Sequence, residues 1–222
     1  MQPISFNLAD LGLGQWIVIG LSVLVGVWFV AGIAVNRRVG RRARAWLASG
    51  LDGYTCGQPS WVDLATAAVV TKAARPSLPL ERIEAIFALE RRENLPLWLF
   101  QHAAGKRDSA ILRANLKKKP VFEAHLIPSS EYAQIAAYSH REPPLQRGED
   151  RDGFTLFVGG DASAPAIQAL EALKERFKGS LIRVSVRGES PHLLLHVRLV
   201  ALRDASPAVA LALDEIARKS QA

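Results

Sequence analysis

The sequence predicts an α+β domain carried on one N-terminal transmembrane helix. Three observations predict it: a long uncharged apolar run near the start, an arginine cluster directly after it, and a remainder in which strand-like and helix-like segments alternate between glycines and prolines. No charge occurs from Leu11 to Asn36. Within that run, Trp16 to Val35 (WIVIGLSVLVGVWFVAGIAV) supplies apolar or small residues throughout. At about 1.5 Å rise per residue, such a helix covers the roughly 30 Å hydrocarbon core of a bilayer. A helix satisfies its own backbone groups, which lipid cannot do. Trp16 suits an interfacial anchor.

The division that follows is a short outer tail over residues 1–15, the span over 16–36, and basic juxtamembrane and linker helices over 37–80. A first α+β half covers 81–137, a polar loop 138–153, and a second half 154–222. The rival for the apolar run is a cleaved secretory signal ending at Gly32-Ile33-Ala34. A signal peptide needs a positive start and a shorter run of roughly 7–15 residues, whereas MQPISFNLAD has no Lys or Arg.

Orientation comes from the same charges. Only Asp10 precedes the span, while Arg37, Arg38, Arg41, Arg42 and Arg44 follow it. The positive-inside rule then places the N-terminus outside and the domain in the cytoplasm of a cell (inner) membrane. The single cysteine, Cys56, excludes an internal disulfide and agrees with a reducing compartment. An Ala- and Arg-rich composition suits a bacterium with GC-rich DNA. Ser22 and Gly26 stand at small-xxx-small spacing, a pattern that allows close helix approach and a homo-oligomer.

A net charge of +7 invites a nucleic-acid reading, so the position of the charge decides. Without the arginine collar and Asp10, 23 basic residues face 20 acidic ones. Six of the remaining basic residues fall between Gly105 and Lys119, with no aromatic from Lys106 to Lys119 on which a base could stack. Nucleic acid is therefore not an expected partner. Val39, Ala43, Trp46, Leu47 and Leu51 fall on one side of a helix through the collar, which predicts a segment lying in anionic headgroups. The same arginines also serve as a plain topology signal. Lys117, Lys118 and Lys119 read as a solvated hairpin tip or a docking hairpin.

In the soluble part, residues 49–59 form a loop. SWVDLATAAVVTKAARP then reads as a helix capped by Ser60, with Trp61, Leu64, Ala65, Ala68 and Val69 on one face. Arg82 to Glu90 alternates as a strand, LPLWLFQHAAG suits a short helix, and SAILRANL and VFEAHLI read as strands joined at KKKP. Tyr138 to Gly153 is polar enough for a long surface loop. FTLFVGG is a strand, and APAIQALEALKERFKGS a helix with Ile167, Leu170, Leu173 and Phe177 on one face. LIRVSVRG and PHLLLHVRLVAL form a hairpin, and SPAVALALDEIARK a last helix capped by Ser206. The order is β-α-β-β-α.

The first half can be read in that order too, giving β-α-β-β-α-like units with helices over an antiparallel sheet. A shift of 71 residues pairs Ile111 with Ile182, Pro120 with Pro191 and His125 with His196. The strand alternation fits better one residue off, so a duplication and two unrelated halves both stay open.

No catalytic set emerges. His192 and His196 lie four residues apart, roughly 13 Å along a strand, too far to share one metal. His102, His125 and His140 stand in no ligand pattern, so neither metal nor cofactor is expected. Cys56 lies in a loop without an activating motif. Glu149, Asp150 and Asp152 belong to a solvated run. Gly159, Gly160 and Ser163, at a strand-to-helix turn, could present backbone N–H groups to an anion. They lack the spacing and lysine of a phosphate loop, and a tight turn capped by Asp161 or Ser163 explains them as well.

These readings favour a non-catalytic scaffold or accessory subunit whose cytoplasmic domain binds another protein. The alternative is an anchored sensor of a nucleotide or metabolite. An enzyme acting on membrane-proximal substrates ranks third.

Overall fold

The structure is a computed structural model and describes residues 12–51, 53–75, 77–131, 145–160, 164–177 and 179–199. It consists of an antiparallel sheet of ten strands with helices, an α+β arrangement that begins with one long apolar helix. That helix, α1 (Leu13–Gly50), runs 38 residues without interruption. It is long and apolar enough to cross a membrane by length and composition.

The two parts of α1 differ in burial. From Leu13 to Val27 its side chains are exposed, whereas Gly32, Asn36, Gly40, Ala43, Trp46 and Leu47 are buried. Their spacing of three or four residues is one helical face. The apolar side of the collar, expected on headgroups, is therefore occupied by the domain's own core, which includes Ala43, Trp46, Leu47 and Leu51 with Val39 packed against it.

Strand β1 (Tyr54–Cys56) lies in the segment expected to be a loop, and β2 (Ser60–Trp61) and β3 (Thr66–Ala73) follow where a helix was expected from Ser60 onward. Burial here alternates with period two, since Ala67, Val69 and Thr71 face inward. β-branched Val69, Val70 and Thr71 fit that pleated surface better than a helix. Asp63 accepts from Ala65 N at 2.7 Å and Thr66 Oγ1 at 3.2 Å, shaping the entry to β3. The Ala65 N–H, which favours the charged carboxylate, is the main reason its pKa falls below the usual value.

Strand β4 (Leu80–Ala88), helix α2 (Leu95–Ala103), and strands β5 (Ser109–Leu116) and β6 (Phe122–Pro128) match the elements expected of this region. Strand β7 (Gln146–Arg151) lies inside the segment expected to be a polar loop. It forms a hairpin with β8 (Phe154–Gly160) across Asp152 and Gly153, with φ of 50° and 79°. Two positive-φ residues make the tight turn that Asp-Gly favours. Helix α3 (Ala164–Arg176) and strands β9 (Leu181–Val186) and β10 (Leu193–Arg198) complete the described chain. The expected last helix from Ser206, the N-terminal tail to Leu11, and Tyr138 to Pro144 lie outside the described residues.

The sheet order is β1-β3-β4-β5-β10-β9-β6-β8-β7, with β2 also on β3. The β9–β10 hairpin is as expected, but it inserts between β5 and β6. Consequently β5 and β6 do not pair, and Lys117 to Lys119 sit on a connection that crosses two strands rather than on a hairpin tip. The order β-α-β-β occurs twice, as β4-α2-β5-β6 and β8-α3-β9-β10. The neighbours differ: β4 pairs with β5, whereas β6 separates β8 from β9.

One face of the sheet carries the main core, joining Ile83, Phe87, Leu112, Leu195 and Val184 to α1 and to Leu170, Leu173 and Phe177 of the α3 region. A smaller cluster of Ile127, Leu145 and Phe157 forms elsewhere. His192 is buried beside β5 and its Nδ1 accepts from Leu116 N at 3.0 Å. Desolvation lowers its pKa, helped by nearby Lys119, which favours the neutral ring this acceptor role requires.

Candidate functional site

The densest polar arrangement among the described residues lies where α1 meets the β4–α2 connection. Strand β4 ends at Ala88, and the charged turn Glu90-Arg91-Arg92-Glu93-Asn94 carries the chain back along α1 before α2 begins. Gly32 of α1 makes this approach feasible. A Cβ there would overlap the Arg92 carbonyl and the Glu93 amide, so only glycine lets that backbone lie on the helix.

Asn36, one turn further, is buried and fully engaged. The two hydrogens of its Nδ2 are shared among Glu90 O at 3.1 Å, Leu64 O at 3.3 Å and Glu93 Oε2 at 3.4 Å, and its Oδ1 accepts from Arg92 Nη1 at 3.0 Å. Arg92 also forms a two-pronged pair with Asp108, at 3.0 Å to Oδ1 and 2.8 Å to Oδ2. Asp108 Oδ1 accepts in turn from Glu90 N at 2.7 Å. The planar guanidinium fits a carboxylate in this manner and so fixes orientation as well as charge.

Glu90 itself is only 3% exposed. Its Oε2 accepts from Trp98 Nε1 at 2.6 Å, lies 3.2 Å from His102 Nδ1, and is 3.8 Å from Arg92 Nη2. Since a carboxylate only accepts, the hydrogen in the histidine contact belongs to Nδ1. Trp98 and His102 sit four residues apart on α2 and so share the face turned to Glu90. Asn94 caps α2 by accepting from Leu97 N at 3.1 Å. Closest to the apolar end, Trp28 donates to Arg92 O at 2.7 Å, and its ring lies 5.5 Å from that of Trp98.

The chemistry of this cluster is that of a joint. Every charged group in it has an opposite or hydrogen-bonding partner, and the partners come from α1, the turn, α2 and the start of β5. Removing one member would strand another, which is costly in a buried network. Sequence reasoning missed Asn36, Glu90, Arg92 and Asp108 as a set. The available signals were an asparagine closing the apolar run and a charged pentapeptide between a strand and an apolar helix.

The residues singled out from sequence are spread widely. Arg37 and Arg44 belong to the fold: the Arg37 guanidinium lies 4.2 Å from the Trp61 ring centroid, and Arg44 Nε donates to Gly57 O at 2.8 Å. Arg38, Arg41 and Arg42 are exposed. Lys117, Lys118 and Lys119 are exposed at the opposite end of β5 from Asp108. Eight residues of strand separate the two ends by about 26 Å.

Gly159 and Gly160 pair within β8, opposite Glu123 and Phe122. A Cβ on Gly159 would strike Leu145, and Gly160 has φ of 74°, so sheet geometry explains both. Ser163 and Asp161 lie outside the described residues. Cys56 ends β1, part-buried. Among the described residues, no three His, Cys, Asp or Glu side chains are grouped to hold a metal ion. Comparison with protein-family models and with curated proteins gives no match to this chain.

Proposed function

We propose that the chain is a single-pass, membrane-anchored, non-catalytic scaffold or accessory subunit whose cytoplasmic α+β domain binds another protein. The observation that carries this reading is the continuity of α1, whose exposed apolar part passes without a break into the core of the domain. A cleaved signal is a separable leader. Here cutting after Ala34 would remove Trp28 and Gly32, both of which hold the Arg92 turn. The arginines after the span support a cytoplasmic domain. Arg38, Arg41 and Arg42 remain available to anionic headgroups, each such residue contributing about 1 kcal/mol near the surface.

The protein-facing surface in this reading is the end of the sheet remote from the joint, where Lys117 to Lys119 are exposed. Ser22 and Gly26, exposed on α1 at small-xxx-small spacing, suit a helix-mediated homo-oligomer. Crosslinking in the native membrane, followed by affinity capture and mass spectrometry, tests the proposal. A stoichiometric companion lost on replacing the three lysines by glutamate is expected. A solitary protein would overturn the subunit reading.

One observation favours a ligand-sensing alternative. A cavity of about 240 Å³ lies beneath α3, lined by Leu126, Phe154, Leu156, Ile167, Glu171 and Lys174. It is small for a nucleotide, given that ligand sites usually start near 300 Å³.

A further inference from the structure

We infer that α2 is an interfacial membrane helix, which lays Pro96, Leu99, Phe100 and Ala103 into the cytoplasmic leaflet beside the span. The inference rests on the anchored reading of α1 and adds a second, independent contact between domain and bilayer.

Its first ground is the helix's own burial. The sequence LPLWLFQHA is strongly apolar, yet none of its nine residues is buried. Trp98 and the half-exposed His102 reach Glu90, and Trp98 also meets Trp28, while Pro96, Leu99, Phe100 and Ala103 are exposed with no such partner drawn from the turn. Those four occupy positions i, i+3, i+4 and i+7, a single stripe. Leu99 is 54% and Phe100 72% exposed. An apolar stripe turned outward on a short helix needs a covering surface.

The second ground identifies the cover. Helix α2 is held against α1 at Trp28, whose ring meets that of Trp98 in a tilted contact. The surface of α1 stays apolar past that level: Phe29, Val30 and Val35 are all exposed. Seven residues from Trp28 to Val35 rise about 10 Å. If lipid covers the exposed side of α1 down to Val35, then α2, beside Trp28, lies at the depth of the hydrocarbon boundary and not in water. Its stripe continues the lipid-facing surface of α1.

The flanks agree with that depth. Lys106 and Arg91, the latter 3.8 Å from Asp63, are exposed on either side of α2 within reach of anionic headgroups, and Arg107 Nη1 donates to His102 O at 2.8 Å at the helix's C-terminal end. Two tryptophans at this level are the residues favoured at a membrane interface. A 9-residue helix with a polar inner face and an apolar outer one is too short to span and suited to lie in the surface.

The test uses the full chain in phosphatidylcholine–phosphatidylglycerol vesicles, with Cys56→Ser as background and an environment-sensitive NBD label on one new cysteine. Labels go at Phe100→Cys on α2, Val23→Cys on α1 and Val121→Cys at the far end of the sheet, all exposed positions. The expected result is blue-shifted emission and quenching by spin-labelled lipid at 100 and at 23, with neither at 121. Quenching at 23 but not at 100 overturns the inference and leaves the anchor standing. A blue shift at 100 without lipid quenching also overturns it, since a protein surface would then cover the stripe. Absence of quenching at 23 removes the anchor and this inference together.

Discussion

At the level of single residues, the joint depends on two small features of α1. Gly32 admits the Arg92 carbonyl to the helix surface, and Asn36 then satisfies the carbonyl of Glu90 and the guanidinium of Arg92. Neither feature depends on hydrophobicity, so neither is predicted by a span alone. Gly26, on the same helix, faces open space. Gly32→Ala should therefore destabilise the detergent-solubilised chain by about 1–3 kcal/mol, the usual range for overpacking a close contact. Gly26→Ala should be neutral or slightly stabilising. Thermal unfolding followed by circular dichroism checks the pair, and equal effects at the two positions would show that the close approach at Gly32 is not a constraint.

At the level of elements, the strands with clear period-two patterns were legible, while β3 was misread for a definable reason. Trp61, Leu64, Ala65, Ala68 and Val69 happen to fall at helical spacing, and alanine is too small to announce which side of a strand it occupies. Burial separates the alternatives: Ala67 is fully buried, whereas Ala68, opposite Ile86 on β4, is half-buried. Ala67→Leu should then cost about 1–3 kcal/mol through overpacking, and Ala68→Leu much less. Chemical denaturation of both variants checks this. A helical segment would reverse the order, since Ala68 was assigned to its buried face. Other elements escaped because their signals are long-range. Nothing local tells β9 and β10 to enter between β5 and β6, although the hairpin itself was legible from its two apolar strands. The β7–β8 turn did carry a local signal in Asp152-Gly153, masked by the polar composition of β7. The joint was invisible because its members, at positions 28 to 108, come together only once α1 runs alongside the end of β4.

For the whole molecule, the position of the domain boundary differs from the position of the charge boundary. Charge places the change at Arg37, where the apolar run ends. Packing places it at Trp28, because Trp28, Gly32 and Asn36 already contact the Glu90–Asn94 turn and α2. About 13 Å of helix lies between the two positions, and over that length α1 is apolar on one side and joined to the domain on the other. Helix α1 and the sheet thus form one body, with Asp108, just before β5, held near the apolar end and Lys117 carried away from it. Such a body transmits the orientation of α1 to the sheet without a flexible linker. Two truncated chains compare the boundaries directly, one starting at Trp28 and the other at Arg37, both in the same detergent. The shorter chain loses the Trp28 hydrogen bond, the tryptophan pair and all four contacts of Asn36, leaving Arg92 and the Glu90 carbonyl short of partners. At about 1 kcal/mol for each of the five hydrogen bonds lost, before any buried group left unsatisfied is added, its stability should fall by about 5 kcal/mol or more. Equal midpoints for the two chains in urea would place the boundary at Arg37 and reduce the joint to an incidental contact.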